Sequence, residues 1–336
     1  MPPTRRAFLQ ATIGIAVGTR GDRGGLAPGG AGVRIGCLVR DPDAPGVRGL
    51  RLGAEEAAHA ARRRDRVLDV REVASDAAAE RLARDGATVA LVGPGDGDDH
   101  DVVAAAARHG RAFLGIADAP TGAANAFAMA PPAGGYLDAV VRWVARERPW
   151  GRWVVVVTDA DDAAWRSRAR AAAGSERTAS VAEAVVPRDG VRGADVLLIG
   201  ARAAASPAIA DAIAAVPDAA VVLPSGDVTP SALRRRSVRA MLWHESLTDD
   251  GAAELNARFT RRFGCAMTGR DWSGWMAFKI LWEAVARHGT GAPTALLARG
   301  DRFDGHKGRT LAFDAGRRLV QPVYVVAGDR VVRVAG

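Results

Sequence analysis

The chain has 336 residues, enough for two compact α/β units, and a formal net charge of +8. Only two of its 46 basic residues are lysines, Lys279 and Lys307, and the arginines are scattered among acidic residues. A nucleic-acid-binding protein would need a basic stripe with aromatic side chains beside it. The composition therefore argues against nucleic acid as a partner, and no segment after residue 31 has the length and apolarity of a membrane span.

The N-terminal segment resembles a twin-arginine export signal. Arg5 and Arg6 precede Phe8 and Leu9, and an uncharged run extends from Ala7 to Thr19. That run has the length of a signal-peptide apolar region and is too short for a membrane-spanning helix. The alternative is an ordinary signal peptide with a basic end. Both alternatives predict an export signal and flexible leader over residues 1–32 and a mature chain in the periplasm.

The two cysteines, Cys37 and Cys265, allow one disulfide in an exported protein. Cys37 lies inside the apolar run Val33–Val39, which favours a buried free thiol. A single candidate pair leaves both alternatives open.

In the first third of the chain, apolar β-branched segments alternate with alanine-rich helical segments. Continuous apolar strands joined by helices indicate a parallel sheet that is covered on both faces. The pattern predicts strands at Val33–Val39, Val67–Val73, Thr88–Val92 and Ala112–Ile116, and helices at Val47–Arg64, Ala77–Asp85 and Val102–His109.

The segment Ala117–Pro132 interrupts this alternation with prolines and a glycine, and we predict that it crosses to a second sheet. The alternation then resumes, followed by two long helical segments and a strand-rich end. The predicted strands are Trp153–Thr158, Asp195–Ile199 and Ala220–Leu223, the helices are Gly134–Arg148, Ala163–Ala173, Pro207–Val216, Asp249–Phe263 and Asp271–His288, and the strand-rich end is Arg309–Val334.

Motifs of enzymes are scarce. The chain has no G-x-S-x-G, H-E-x-x-H, Walker or C-x-x-C motif. Gly93, Pro94 and Gly95 follow a predicted strand, which suggests a dinucleotide site, but the glycine spacing is wrong and the aspartates that follow would repel a pyrophosphate. The sequence therefore predicts a protein that is not an enzyme and has no cofactor.

Two acidic turns follow predicted strands, one in each half. Ligands of open α/β sheets bind outside the carboxyl ends of the strands, so two turns facing one cleft would favour a cationic ligand group. A hard cation in the first turn and helix capping by both turns are the alternatives, and no metal site is assigned. The turns contain Asp96, Asp98 and Asp99 in the first half and Asp159, Asp161 and Asp162 in the second.

Aromatic side chains add three candidate ligand contacts. Trp165 follows the second acidic turn, and Trp243 and His244 end a strand-like run at a predicted crossover. For the tryptophans the alternative is packing in the core, and for His244 it is a surface position. A second stripe, Trp275, Phe278 and Trp282, has helical spacing and is predicted to be core.

The chain resembles the type I periplasmic substrate-binding proteins of the branched-chain amino-acid family. The resemblance rests on Ile35–Leu38 followed by Gly46–Ala58, on Val92–Pro94 and on Gly308–Asp314. It implies a type I periplasmic-binding fold, in which two doubly wound α/β lobes are joined by a three-strand hinge. It also implies a small solute in the cleft and an ABC transporter permease as partner.

The resemblance brings two more candidate ligand residues, Asp118 in the first lobe and Asp227 in the second. The family holds the ligand carboxylate with Ser or Thr hydroxyls after the Gly-Pro turn, where this chain has Asp96, Asp98 and Asp99. A carboxylate ligand would meet like charge at these positions. Classical amino-acid binding is therefore not expected.

The C-terminal part is similar to a subgroup of that family, the substrate-binding proteins associated with pyrroloquinoline-quinone-dependent alcohol dehydrogenase systems. The similar segments are Arg239–His244, Leu255–Phe259, Asp271–Ala277 and Lys307–Pro322. This similarity implies a solute that is linked to quinoprotein alcohol oxidation.

Together these observations predict one lobe from residues 33–118 and 246–303 and a second lobe from residues 119–245 and 304–336. We expect a small solute to bind between the lobes and close the hinge. The alternative function is a periplasmic sensor or accessory protein that uses the same fold to contact a partner.

Overall fold

The computed structural model describes residues 32–95, 99–117, 122–158, 163–176, 178–186, 189–224, 231–289, 293–298 and 300–335. Over these ranges the chain forms an α/β fold with a five-stranded, a seven-stranded and a three-stranded sheet. No helix within the same ranges combines the length and apolarity needed to cross a membrane.

The first sheet has the predicted parallel alternation. Its strands run side by side in the order β2-β1-β3-β4-β5, and all neighbours are parallel. The strands are β1 (Val33–Leu38), β2 (Leu68–Val73), β3 (Thr88–Gly93), β4 (Ala112–Gly115) and β5 (Ala126–Ala128), and the helices between them are α1 (Val47–Arg62), α2 (Asp76–Arg84) and α3 (His100–Arg108).

The remaining elements build the second sheet and return to the first. The helices are α4 (Ala133–Glu147), α5 (Ala163–Gly174), α6 (Ala201–Ala204), α7 (Ala208–Ala214), α8 (Ser231–Arg234), α9 (Ala252–Phe263), α10 (Gly269–His288) and α11 (Pro293–Ala298). The strands are β6 (Arg152–Val157), β7 (Ser180–Val185), β8 (Val196–Ile199), β9 (Ala220–Leu223), β10 (Ser237–Met241), β11 (Phe303–Asp304), β12 (Thr310–Phe313), β13 (Leu319–Val320), β14 (Val323–Ala327) and β15 (Arg330–Ala335).

The second sheet has the order β15-β14-β10-β9-β8-β6-β7 and is parallel from β10 to β7. Strand β14 joins it antiparallel to β10, and β15 pairs antiparallel with β14. Strand β7 was not predicted, because it lies at the sheet edge, is mostly half-buried and lacks a continuous apolar run.

Helices α9 and α10 return to the first sheet and pack in its core together with β1, β3 and β4. Glycines allow α1 and α10 to approach closely: a Cβ on Gly53 would lie 2.7 Å from the Trp275 carbonyl oxygen. The prediction of a core stripe is confirmed, since Trp275, Phe278 and Trp282 are all buried.

The first core extends past both ends of the predicted first lobe. Strand β5 pairs with β4 although it follows residue 118. The Phe127 ring, in β5, packs edge-on against the Phe313 ring, with 5.0 Å between the ring centroids. Leu311 and Leu319 of the three-stranded sheet lie in the same core, beyond the predicted boundary at residue 304. The segment Ala117–Pro132 therefore contains β5, the last short strand of the first sheet, before the chain continues to α4.

Both cysteines are free thiols, which confirms the plainer alternative for Cys37. Cys37 lies in β1 and is buried, and its burial raises the pKa of the thiol far above its usual value. Cys265 is half-buried, and the Arg48 guanidinium donates to its sulfur at 3.0 Å.

Candidate functional site

The structure describes four of the ten candidate ligand residues. Asp99, Trp165, Trp243 and His244 are among the described residues. The other six, Asp96, Asp98, Asp118, Asp159, Asp161 and Asp227, lie outside them. Among the described residues no three His, Cys, Asp or Glu side chains are grouped to hold a metal ion.

Asp99 lies just before α3, at the carboxyl edge of the first sheet, and its side chain is fully buried. Its carboxylate accepts from the Arg40 guanidinium at 2.7 Å and from the Gly95 backbone N–H at 2.7 Å. It does not cap α3. The Asp99 side chain thus holds the strand-end loops together from inside, and its buried carboxylate is paired with Arg40.

Arg40 is a charged group at this edge that the sequence analysis did not identify. It follows β1, and it also donates to the Asp76 carboxylate, at 2.7 Å. Burial acts to lower the pKa of Arg40, but its hydrogen bonds to Asp76 and Asp99 outweigh this effect and raise the pKa. One guanidinium therefore serves two carboxylates from the starts of α2 and α3.

Trp243 is part of the first core. Its side chain is fully buried, and its ring stacks on Trp272 with centroids 6.1 Å apart and an interplanar angle of 14°. The indole N–H donates to the Asn256 side-chain oxygen at 2.8 Å. Trp243 is therefore packed in the core, which was the alternative to a ligand contact. In this conformation its ring presents no surface to a ligand.

His244, the next residue, is buried rather than at the surface, with 8% of its area exposed. Its Nδ1 accepts from the Ser246 backbone N–H at 3.2 Å and lies 2.8 Å from the Ser246 hydroxyl. Burial lowers the pKa of His244, Glu245 opposes this shift, and Arg239 adds to it. The imidazole is therefore held in its neutral form beside the end of β10.

Trp165 is half-buried and packs against the second core, which is centred on β6, β8 and α4. The neighbouring Arg166 donates to the Thr158 carbonyl at 2.5 Å and so ties α5 to the end of β6. Trp165 thus lies near a strand end of the second sheet, with part of its ring in the core.

A buried polar contact in the described segments that join the sheets centres on Lys307, which the sequence analysis did not identify as a site residue. The Lys307 side chain is 7% exposed, and its Nζ lies 3.7 Å from the centre of the Trp272 ring. The ammonium donates to the Leu242 carbonyl at 2.6 Å, to the Gln321 side-chain oxygen at 2.8 Å and to the Pro322 carbonyl at 3.4 Å. The three N–H groups of the Lys307 ammonium thus match these three acceptor oxygens.

Gln321 extends this contact, because its side-chain N–H donates to the Met129 carbonyl. Met129 follows β5, Leu242 follows β10, and Gln321 precedes β14. The pair, here named the Lys307–Gln321 node, therefore touches all three segments that run between the two large sheets. The signal in the sequence was that Lys307 is one of two lysines in a chain that otherwise uses arginine.

Within the part of the chain that the structure describes, two cavities lie on the flank of the first sheet. One, of about 810 Å³, lies between α3, residues 122–125 and α11. The other, of about 350 Å³, lies between α1, α9 and α10. Neither is lined by Asp99, Trp165, Trp243 or His244, so neither coincides with the predicted cleft.

No protein-family model matches the chain, and no curated protein sequence matches it significantly. Solved structures do match. An ABC transporter substrate-binding protein from Desulfitobacterium hafniense in complex with Leu is 15% identical with a TM-score of 0.69, covering 91% of this chain and 100% of that one. A branched-chain amino acid transporter substrate-binding protein from Streptococcus pneumoniae in complex with isoleucine is 14% identical with a TM-score of 0.68, covering 90% and 98%.

A third match is the solute-binding protein of an ABC transporter from Rhodopseudomonas palustris in complex with 3,4-dihydroxybenzoic acid. It is 13% identical with a TM-score of 0.61, covering 90% of this chain and 95% of that one. These neighbours are binding proteins of transporters and not enzymes. Matches at such low identity show the fold alone. The chain has the type I periplasmic-binding fold.

Proposed function

We propose that the chain is the exported solute-binding component of an ABC-type uptake system, which holds a small solute between two lobes. The observation that carries the proposal is the Lys307–Gln321 node. It gathers the three segments between the two sheets at one buried point. A fold that carries ligands by closing needs such a hinge, in which a few residues absorb the motion while each core stays rigid.

On this proposal the lobes meet at the node rather than at residues 118 and 304. The first lobe comprises residues 33–129 and 243–321, because their apolar side chains form the core around β1, β3, β4 and α10. The second lobe comprises residues 130–242 and 322–335, which contain the seven-stranded sheet and its helices. A ligand at the strand ends would contact both lobes and favour the closed form by its extra contacts there.

The solved neighbours hold ligands as different as Leu and 3,4-dihydroxybenzoic acid, so the ligand class of this chain depends on its own residues. Arg40 balances Asp99, which removes one carboxylate from the predicted acidic cleft. The remaining candidate carboxylates, Asp96, Asp98, Asp118, Asp159, Asp161 and Asp227, still favour an amine or another cationic group, or a neutral polyol. Neutral alcohol-derived solutes agree with the similarity to proteins of quinoprotein alcohol oxidation.

The protein would work in the periplasm with an ABC permease as its partner. Arg5 and Arg6 support export through the twin-arginine route to the periplasm. The closed form would then present a surface to an ABC permease. Replacing both arginines with lysine should leave precursor in the cytoplasm, and normal export of that variant would contradict the twin-arginine route.

The test is a thermal-shift panel of amines, polyols and organic acids on the mature chain, followed by small-angle scattering with any stabilising compound. A cleft ligand should raise the melting temperature by mass action and reduce the radius of gyration. Asp98→Asn and Asp159→Asn should weaken the response to amines. Stabilisation without compaction would contradict closure, and a periplasm-purified chain that retains a protein but no solute would favour the sensor alternative.

A further inference from the structure

The cavity of about 350 Å³ on the flank of the first sheet has the features of a ligand pocket. Helices α1, α9 and α10 form its walls, and the Trp275 and Trp282 indoles line it. His306 closes one side, with its ring stacked on Trp275 at 5.3 Å between centroids and 24° between planes. Pockets for small molecules in proteins have about this size, with aromatic walls and a few charged groups.

The carboxylates of this cavity already have partners. Glu56 accepts from the Arg258 guanidinium at 2.7 Å and from the Trp275 indole N–H at 2.8 Å. On the other wall Glu283 accepts from the Arg287 guanidinium at 2.7 Å and from the Lys279 ammonium. A cationic ligand would therefore have to break existing ion pairs.

The lining has more positive than negative groups. Arg64, Arg258 and Lys279 face two carboxylates, and Arg287 adds a further cation to the Glu283 cluster. Positive charge beside the stacked His306 and Trp275 rings suits a planar anion, because its carboxylate meets the cations while its ring packs against that stack.

We propose that this cavity is a second ligand site, distinct from the cleft, and that it takes a small planar organic anion. All of its walls belong to elements that pack on the first sheet. Binding therefore requires no movement of one sheet against the other. The site does not depend on the proposed transport function, and the two proposals fail separately.

The probe is sodium benzoate, with benzyl alcohol and benzylamine as its neutral and cationic analogues. Benzoate should raise the melting temperature of the mature chain and change its tryptophan fluorescence, with no change in the radius of gyration. The two analogues should act at least about tenfold more weakly, because they lack the anionic group that Lys279 and Arg64 would meet.

Two variants test the position of the site. Lys279→Gln removes one cation while Glu283 keeps its contact with Arg287, and it should weaken benzoate binding about tenfold. Ala60→Leu fills the cavity from α1 without changing charge and should abolish binding. Trp150→Leu is the matched control for fluorescence, because that indole is 67% exposed and lies outside the cavity.

Equal responses to the three compounds, or benzoate binding unchanged in both Lys279→Gln and Ala60→Leu, would overturn the proposal. If Ala60→Leu does not fold, benzoate binding by Lys279→Gln alone decides whether the proposal stands. Benzoate could also compact the protein, with the compaction lost in Asp98→Asn and kept in Lys279→Gln. That result would place the anion in the cleft and would overturn the proposal of a second site.

Discussion

The backbone of Gly49 in α1 is in direct contact with the backbone of Asp271 in α10. A Cβ on residue 49 would lie 1.7 Å from the Asp271 carbonyl oxygen and 2.4 Å from the carbonyl carbon. No side-chain rotation relieves such a contact, because both partners are main-chain atoms of packed helices. The spacing of the two helices is therefore set by the absence of a side chain at residue 49.

We predict that Gly49→Ala destabilises the protein by about 3 kcal/mol or more, because the helices must separate to admit the methyl group. Gly86→Ala is the matched control, since no atom lies within 4 Å of a Cβ built there. Urea unfolding of both variants tests this. Equal midpoints for Gly49→Ala and the parent chain would refute the close contact.

The Lys307–Gln321 node gives a second prediction. Lys307→Met leaves the Leu242 and Pro322 carbonyls without their buried donor and should cost about 2–4 kcal/mol. Lys307→Arg should also destabilise, because a planar guanidinium cannot replace a compact ammonium there. Lys279→Met, at the other lysine, should cost less, about 1 kcal/mol, because Lys279 makes one half-buried pair with Glu283, which keeps Arg287 as a partner.

A double-mutant cycle identifies the origin of that loss. With Gln321→Leu as the second change, Lys307 and Gln321 should show a coupling energy of about 1–3 kcal/mol, because the two side chains share a hydrogen bond. Additive effects would mean that the two residues act separately.

The cysteines should differ in reactivity. Cys37 is buried in β1 with a raised pKa, so neither access nor thiolate formation favours its reaction with a thiol reagent. Cys265 is half-buried and should be labelled in the native protein. One thiol should titrate in buffer and two in denaturant, and Cys265→Ser should remove the native signal. Rapid labelling of Cys37 in buffer would contradict its place in the core.

His244 should make stability depend on pH. Its folded-state pKa is lowered, chiefly by burial, so the unfolded chain binds the proton more readily once the pH falls below about 6.5. The stabilisation is present above that pH and is lost as the pH falls towards the folded-state pKa. His244→Asn should flatten the dependence of unfolding free energy between about pH 7 and pH 5. His59→Asn, at an exposed position of α1, is the control. An unchanged slope in His244→Asn would show that another group is responsible.

The sequence predicted the buried strands well, because continuous, mostly β-branched runs such as Trp153–Val157 are typical of strands covered on both faces. It missed β7, whose side chains are mostly half-buried, and β5, which has three residues. Short or half-exposed strands lack the periodicity on which such predictions depend.

The site was harder to predict than the fold. Asp99 follows a strand, as expected, but its partner Arg40 is 59 positions away in the sequence. Gln321 and Met129 are 192 positions apart, and no local pattern links them. Trp243 could equally face a cleft or a core on sequence grounds, and only its stacking on Trp272 decides between these positions.

The convergence of three chain segments on Lys307 and Gln321 also limits how the two halves of the protein can move. Two bodies that are fastened at a single point are free to tilt and to twist about that point, but they cannot slide past each other. Translation of the second sheet along the first would pull Leu242 and Pro322 away from Lys307 and break its hydrogen bonds to both carbonyls together. Any change of shape between the two sheets should therefore be a pure rotation, with the Lys307 ammonium near its axis.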